Sequence, residues 1–353
     1  MKIDLANPAW RQTLPPARTV AADAPAAACA YNRDGTTVAF ALGDGSVRRL
    51  PADIAAAPSD ATPPVHGGAV LALVADPTGD GFISGGDDGR ILRIGVDGTT
   101  TELFNQKGKW IDHLAAHRTA GAVAASVGKS AILIGKDGAV REFGPHPSTV
   151  ADLDFSKDGS RIACAHYGGV TVWSLAQTAP GQAAPPPRRF AWRGSHVALR
   201  WSTDGKFIAT GTQENDIHVW RMAQATDMRM QGYPAKVKSL SWTADARFLY
   251  TSAQPVFTAW PFSGKGPEGK PPLQFGEEGA GLLSVVAAHP AAEFVAGGYD
   301  SGELQLGDLK TRRSVVLKMA DGAAITCLAW SPDGFGLAVG NARGDLLVVD
   351  LRR

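Results

Sequence analysis

Written out by its turn signals, the chain repeats one short pattern of apolar and polar positions. An apolar residue is followed three places on by Leu or Val, then two later by an aromatic residue or Ala, then by Asp-Gly. The clearest copies are VADLDFSKDG from Val150, HVALRWSTDG from His196, VKSLSWTADA from Val237 and ITCLAWSPDG from Ile325. Weaker copies surround Tyr31 and start at Val70, Ile111 and Leu283, making eight units. Each Asp-Gly or equivalent turn leads into a run of small and β-branched residues, such as RIACA, FIATG or GLAVG, and the two together predict a hairpin. A third strand follows at VTVWSL, IHVWRM and FTAWPF, whose Trp173, Trp220 and Trp260 stand 18, 19 and 18 positions past the aromatic anchor. TELF, VREF, RRFA, LQF and SVVLK then supply fourth, outer strands.

The eight anchors are Tyr31, Ala75, Ala116, Phe155, Trp201, Trp242, Ala288 and Trp330. Their spacings of 44, 41, 39, 46, 41, 46 and 42 fit a four-stranded unit repeated radially, not a helical repeat. Small apolar residues throughout the second strands agree with sheets covered on both faces by their neighbours.

On these turns, the terminal Trp of the third strand and the period, residues 18–353 resemble the WD-repeat β-propeller family. The resemblance implies an all-β propeller of four-stranded antiparallel blades. Eight copies point to eight blades; seven, with the third unit as the misfit because it lacks Asp-Gly and Trp, is the alternative. No unit keeps the family's Trp-Asp pair, and its Gly-His survives only as His66 and His146. In the second unit His66, Ser84 and Asp88 are placed to form most of the family's buried hydrogen-bond network, a structural arrangement in which Ile94 stands where the Trp would be.

The last unit ends at VVDLRR, without an outer strand of its own. The N-terminal segment, residues 1–25, offers Arg18-Thr-Val-Ala21 to pair there and close the ring, since an open edge would invite aggregation. Residues 26–353 are then one propeller domain. Pro-rich stretches at 51–64, 176–187 and 263–272 coincide with the longest spacings and read as loop expansions between third and outer strands; AAPPPRR at 183–189 also has polyproline character.

Composition adjusts this picture little. Hydrophobic residues at 44% and charged residues at 20% exclude global disorder, and 41 Gly with 23 Pro suit frequent turns. A net charge of +1 provides no global field toward nucleic acid or membrane. Cys29, Cys164 and Cys327 are isolated and read as core residues in a reducing compartment. With Asp4 and Pro8 interrupting any N-terminal apolar run, a cytoplasmic location follows, and the Ala-rich composition fits a bacterial protein.

No phosphate-cradling loop, zinc-protease motif or serine-nucleophile elbow occurs, and the innermost strands carry mainly Ala, Val, Leu, Ser and Cys. The expectation is a non-catalytic, monomeric platform without cofactor or metal, binding a protein or peptide partner, with nucleic acid disfavoured. An enzyme or small-ligand site in the central opening is the alternative. The loops entering each first strand and the turns between second and third strands share one face, and they place Lys109, Trp110, Tyr167, Trp192, Arg193, Tyr233, Phe257, Tyr299 and Arg343 there. Trp, Tyr and Arg are the residue types that dominate interface hot spots.

Overall fold

The computed structural model describes residues 3, 5, 10, 13–58, 62–176, 185–264 and 266–352. These described residues form 29 strands, grouped by hydrogen bonding into seven antiparallel sheets arranged as a propeller. The local reason is the repeated turn. In SxDG the Asp carboxylate accepts from the preceding Ser hydroxyl and from the backbone two residues on, as Asp204 does with Ser202 (2.7 Å) and Lys206 N (3.1 Å). The Gly then takes a left-handed conformation, φ +77° at Gly205, and Ser202 Oγ accepts from Phe207 N at 2.9 Å to start the second strand. The same device recurs at Ser156-Asp158 and Ser331-Asp333. Hydroxyl and backbone donors hold the Asp158 carboxyl well below its ordinary range.

The second strands Ala122–Val127 and Phe207–Thr212 are buried along their whole length. Gly211 shows why small residues are required, since a Cβ there would collide with the Val237 carbonyl of the next sheet. Apolar clusters fill the seams between sheets; Val38, Phe40 and Leu50 of the first unit pack against Leu346 and Val348 of the last. Nearer the centre, side chains staple one first strand to the next. Asp152 Oδ2 accepts from Leu199 N (2.8 Å), Ser239 Oγ from Val286 N (3.0 Å), and Thr326 Oγ1 donates to the Ala26 carbonyl (2.6 Å).

Seven sheets, not eight separate ones, correct the expected count. The third unit is not the misfit: Leu114–His117, Ala122–Val127, Ser130–Ile134 and Val140–Phe143 form an ordinary four-stranded sheet. The difference arises where the fourth and fifth units share one six-stranded sheet. Residues 188–191 of the long strand Arg188–Trp201 pair with the fourth unit, Phe190 opposite Val170, and residues 196–201 pair with the fifth, Trp201 opposite Ile208. Only a turn at residues 192–195, with Gly194 at φ +95°, separates the two, so eight sequence units occupy seven sheets. The first unit has three strands among the described residues, Ala26–Tyr31, Thr37–Leu42 and Val47–Pro51.

Ala17–Ala21 lies antiparallel on Asp345–Asp350, with Ala17 opposite Val349 and Ala21 opposite Asp345. Ile3, Leu5 and Trp10 pack with Leu306, Val315, Leu347 and Val349. Residues 59–61, 177–184 and 265 of the Pro-rich stretches lie outside the described residues, as does part of the 183–189 polyproline segment. All three cysteines are free, Cys164 and Cys327 are buried and Cys29 half-buried, and desolvation raises the Cys29 and Cys164 thiols. No helix among the described residues is long and apolar enough to cross a membrane.

Candidate recognition face

Strand alternation puts every entering loop and every turn between second and third strands at one end of the sheets, the upper face. Side-chain bonds tie several of these turns to the entering loop beside them. Arg90 Nη1 donates to Val65 O (3.2 Å), Lys129 Nζ to Pro147 O (3.3 Å), Gln254 Nε2 to Gly232 O (3.0 Å) and Arg343 Nη2 to Asp321 O (3.0 Å). The face is therefore a set of braced loops.

Of the nine residues predicted on it, six present side chains there. Trp110 and Tyr167 are the prominent ones, 64% and 63% exposed, against a background in which large apolar side chains are nearly all buried. The Tyr167 backbone is pinned by Ser148 Oγ, which accepts from its N–H at 2.8 Å. Lys109, Arg193 and Arg343 are exposed. Arg343 is already engaged, with Asp321 and Asp345 carboxylates 3.8 and 3.7 Å away. Trp192 is half-buried, stacked 4.0 Å from the ring of His218.

Tyr233, Phe257 and Tyr299 are corrections. Tyr233 is 7% exposed and the other two are fully buried, so none forms part of a surface. Tyr233 occupies the place that His66 and His146 take in their units: its hydroxyl accepts the Trp260 indole N–H at 2.6 Å and meets Thr251 Oγ1 at 3.0 Å, and burial pushes its pKa up to about 12. Phe257 and Tyr299 fill the core of the sixth and seventh units, Phe257 stacked on Phe275 at 5.5 Å. Loop position assigned them to the face; their aromatic bulk sends them inward where small residues such as Gly297 and Gly307 leave room.

The expected polar network of the second unit is present. His66 Nδ1 lies 3.0 Å from Asp88 Oδ1 and Nε2 lies 2.8 Å from Ser84 Oγ, with Ser84 fully buried and out of reach of any substrate. In the fourth unit His146 Nδ1 donates to the Lys129 carbonyl (2.8 Å), leaving Nε2 to accept from Trp173 (3.0 Å). Burial lowers the His146, His166, His196 and His289 pKa values, and it brings His218 to about 4 although Asp227 Oδ2 is 3.0 Å from its Nε2.

Two features escaped the sequence reading. Met319, 67% exposed, sits in an entering loop of the upper face, and nothing in a lone Met distinguishes it from a core residue. The first strands also carry charge into the central opening. Arg200 Nη1 binds Asp152 Oδ2 at 2.8 Å, His113 Nδ1 is 3.5 Å from Asp152 Oδ1, and desolvation raises neighbouring Asp154 to about 6 despite the Arg200 charge. The signal was visible as DLDF and ALRW, two polar interruptions of strands otherwise rich in Ala and Leu. No group of three or more His, Cys, Asp or Glu among the described residues is arranged to hold a metal ion.

Comparison with known proteins agrees with this architecture. The profile of the WD domain, G-beta repeat (WD40), matches residues 60–92, 138–174 and 190–221. A chromatin assembly factor 1 subunit FAS2 homolog from Oryza sativa subsp. japonica is 27% identical over 107 residues, 30% of this chain and 21% of that protein. Protein HIRA from Dictyostelium discoideum is 21% identical over 126 residues, 29% of this chain and 11% of that protein. The chain thus matches a minor part of the length of either relative. Among solved structures, the computationally designed Ika8 protein superposes with a TM-score of 0.73 at 16% identity, covering 94% of this chain and 97% of that one, a likeness of fold alone. Three matched repeats on a radial array of antiparallel sheets support a WD-repeat β-propeller.

Proposed function

We propose that the chain is a non-catalytic interaction platform that binds a protein or peptide partner on its upper face, through Trp110, Tyr167, Lys109, Arg193, Trp192 and Arg343. The observation that carries this reading is the pair of large aromatic side chains, Trp110 and Tyr167, left about two-thirds exposed on loops otherwise braced by hydrogen bonds. Exposed aromatics on a rigid frame desolvate much area at small entropic cost when a partner covers them. The WD40 match and the two relatives, one named as a chromatin assembly factor subunit homolog, support a scaffold role. The same reading takes residues 26–353 as one monomeric, cytoplasmic propeller domain whose ring is closed by the N-terminal segment.

The test is capture from native cell extract with the tagged protein beside a Trp110→Ala/Tyr167→Ala/Arg193→Ala variant of unchanged melting temperature. A protein retained by the wild type and lost with the variant is the expected result. Equal retention by both overturns the assignment of the face.

The central opening supports a second reading, a small-ligand site at Asp152, Asp154, Arg200 and His113. Its mark would be a ligand whose affinity changes with Arg200→Gln and is indifferent to the upper-face substitutions.

A further inference from the structure

On the face opposite the entering loops, the fourth and fifth units surround a cavity of about 460 Å³. Phe207 and Met222 supply apolar lining, and four cations line it as well: Arg161, Arg188, Lys206 and Arg221. They come from four points of the shared sheet, the first residues of Arg161–Ser174 and Arg188–Trp201, the turn ahead of Phe207–Thr212, and the last residue of Ile217–Arg221. Each long strand folds back on itself, at Gly168 and Gly169 (φ +91° and +131°) and at Gly194 (φ +95°), and this brings all four to the same end.

Their charge is incompletely matched. Lys206 Nζ lies 3.0 Å from Asp204 and Arg221 Nη2 lies 3.5 Å from Glu268. Arg161 and Arg188 have no carboxylate within 4.0 Å among the described residues. At the same end of other units Arg93 pairs with Asp76 (2.7 Å), Arg247 with Asp245 (2.5 Å) and Arg352 with Asp333 (2.8 Å), while Arg141 of the third unit donates to the Leu175 carbonyl (2.9 Å) and lies 5.4 Å from the Phe143 ring. Arg161 and Arg188 are likewise held by neutral groups. Each guanidinium lies 5.0 Å from an aromatic ring, Trp201 and Phe190 respectively, and Arg188 Nη2 donates to the Met222 carbonyl at 3.1 Å. Stacking fixes the guanidinium plane and leaves N–H edges for a planar or tetrahedral oxyanion.

We propose that this cavity binds a small phosphate-bearing ligand, with Arg161 and Arg188 as forks on phosphate oxygens and Lys206 and Arg221 neutralising the remaining charge. The volume lies in the range of small-molecule sites, and Phe207 and Met222 offer contact for an organic portion. Free inorganic phosphate and the phosphoryl end of a larger metabolite share this chemistry. Because the site is on the opposite face, it stands or falls separately from the partner-binding reading.

Titration calorimetry of the full chain with inorganic phosphate, pyrophosphate and adenosine monophosphate tests it. Saturable binding of at least one probe is expected, weakened about tenfold or more in Arg161→Gln/Arg188→Gln. Adenosine monophosphate binding more tightly than phosphate identifies an organic ligand; phosphate binding as tightly identifies the free anion. Should the double variant fail to fold, Lys206→Gln, whose side chain is 73% exposed, is expected to weaken binding about threefold. Absence of saturation below about 10 mM for all three probes, or affinity unchanged by these substitutions, overturns the proposal.

Discussion

Trp192 lies flat on His218, ring centroids 4.0 Å apart and planes 20° from parallel, while Trp220 meets the same histidine edge-on at 4.6 Å. His218 is fully buried under this cover. Trp192 is therefore part lid and part face, unlike Trp110.

The two tryptophans should separate in mutagenesis. Trp192→Ala uncovers His218 and is expected to cost about 2–4 kcal/mol in urea denaturation. Trp110→Ala should stay within about 0.5 kcal/mol. Equal effects would mean that the stack contributes nothing.

Acid should destabilise the protein through the same histidine. Its pKa is depressed from 6.5 to about 4 in the fold, so the unfolded chain binds the proton more tightly. The associated stability is complete above about 6.5 and is lost as pH falls toward 4, on the order of 3 kcal/mol. His146, His166, His196 and His289, also depressed by burial, act in the same direction. Asp154, raised to about 6, opposes them, because its protonation favours the fold between about 4 and 6. Melting temperature should thus fall from pH 7 to pH 5, and His218→Phe should flatten that slope.

Tyr233→Phe removes the acceptor of the buried Trp260 indole N–H and the partner of Thr251 Oγ1. Leaving those groups unsatisfied should cost about 1–3 kcal/mol in chemical denaturation. A surface role for Tyr233 would give a shift near zero.

Deleting residues 1–25 removes the strand Ala17–Ala21 from the Asp345–Asp350 edge, together with Ile3, Leu5 and Trp10 from the cluster around Leu347 and Val349. A loss of about 5 kcal/mol and increased association, read by thermal melting and light scattering, are expected. An unchanged melting curve would mean that the segment does not hold the ring.

Much of the fold was legible because one local device is repeated. The Ser-x-Asp-Gly turn at Ser202 and Ser331 needs its residues in that order, and the terminal tryptophans mark the third strands. Legibility fails where the outcome depends on neighbours. Whether Tyr299 or Tyr167 points outward is decided by the packing of adjacent sheets, which loop position does not encode; one is fully buried and the other 63% exposed. The join between the fourth and fifth units was hidden for a related reason, since RRFAWRGSHVALRW reads as an outer strand, a connection and an inner strand, and only tertiary pairing runs them together.

That join has a mechanical consequence. The segment Arg188–Trp201 carries Arg188 beside the basic cavity, Arg193 among the exposed loops and Arg200 into the central opening, reversing at Gly194 (φ +95°). Fourteen residues therefore join the three places covalently, so a shift of Arg188 reaches Arg193 and Arg200 through one short stretch of chain.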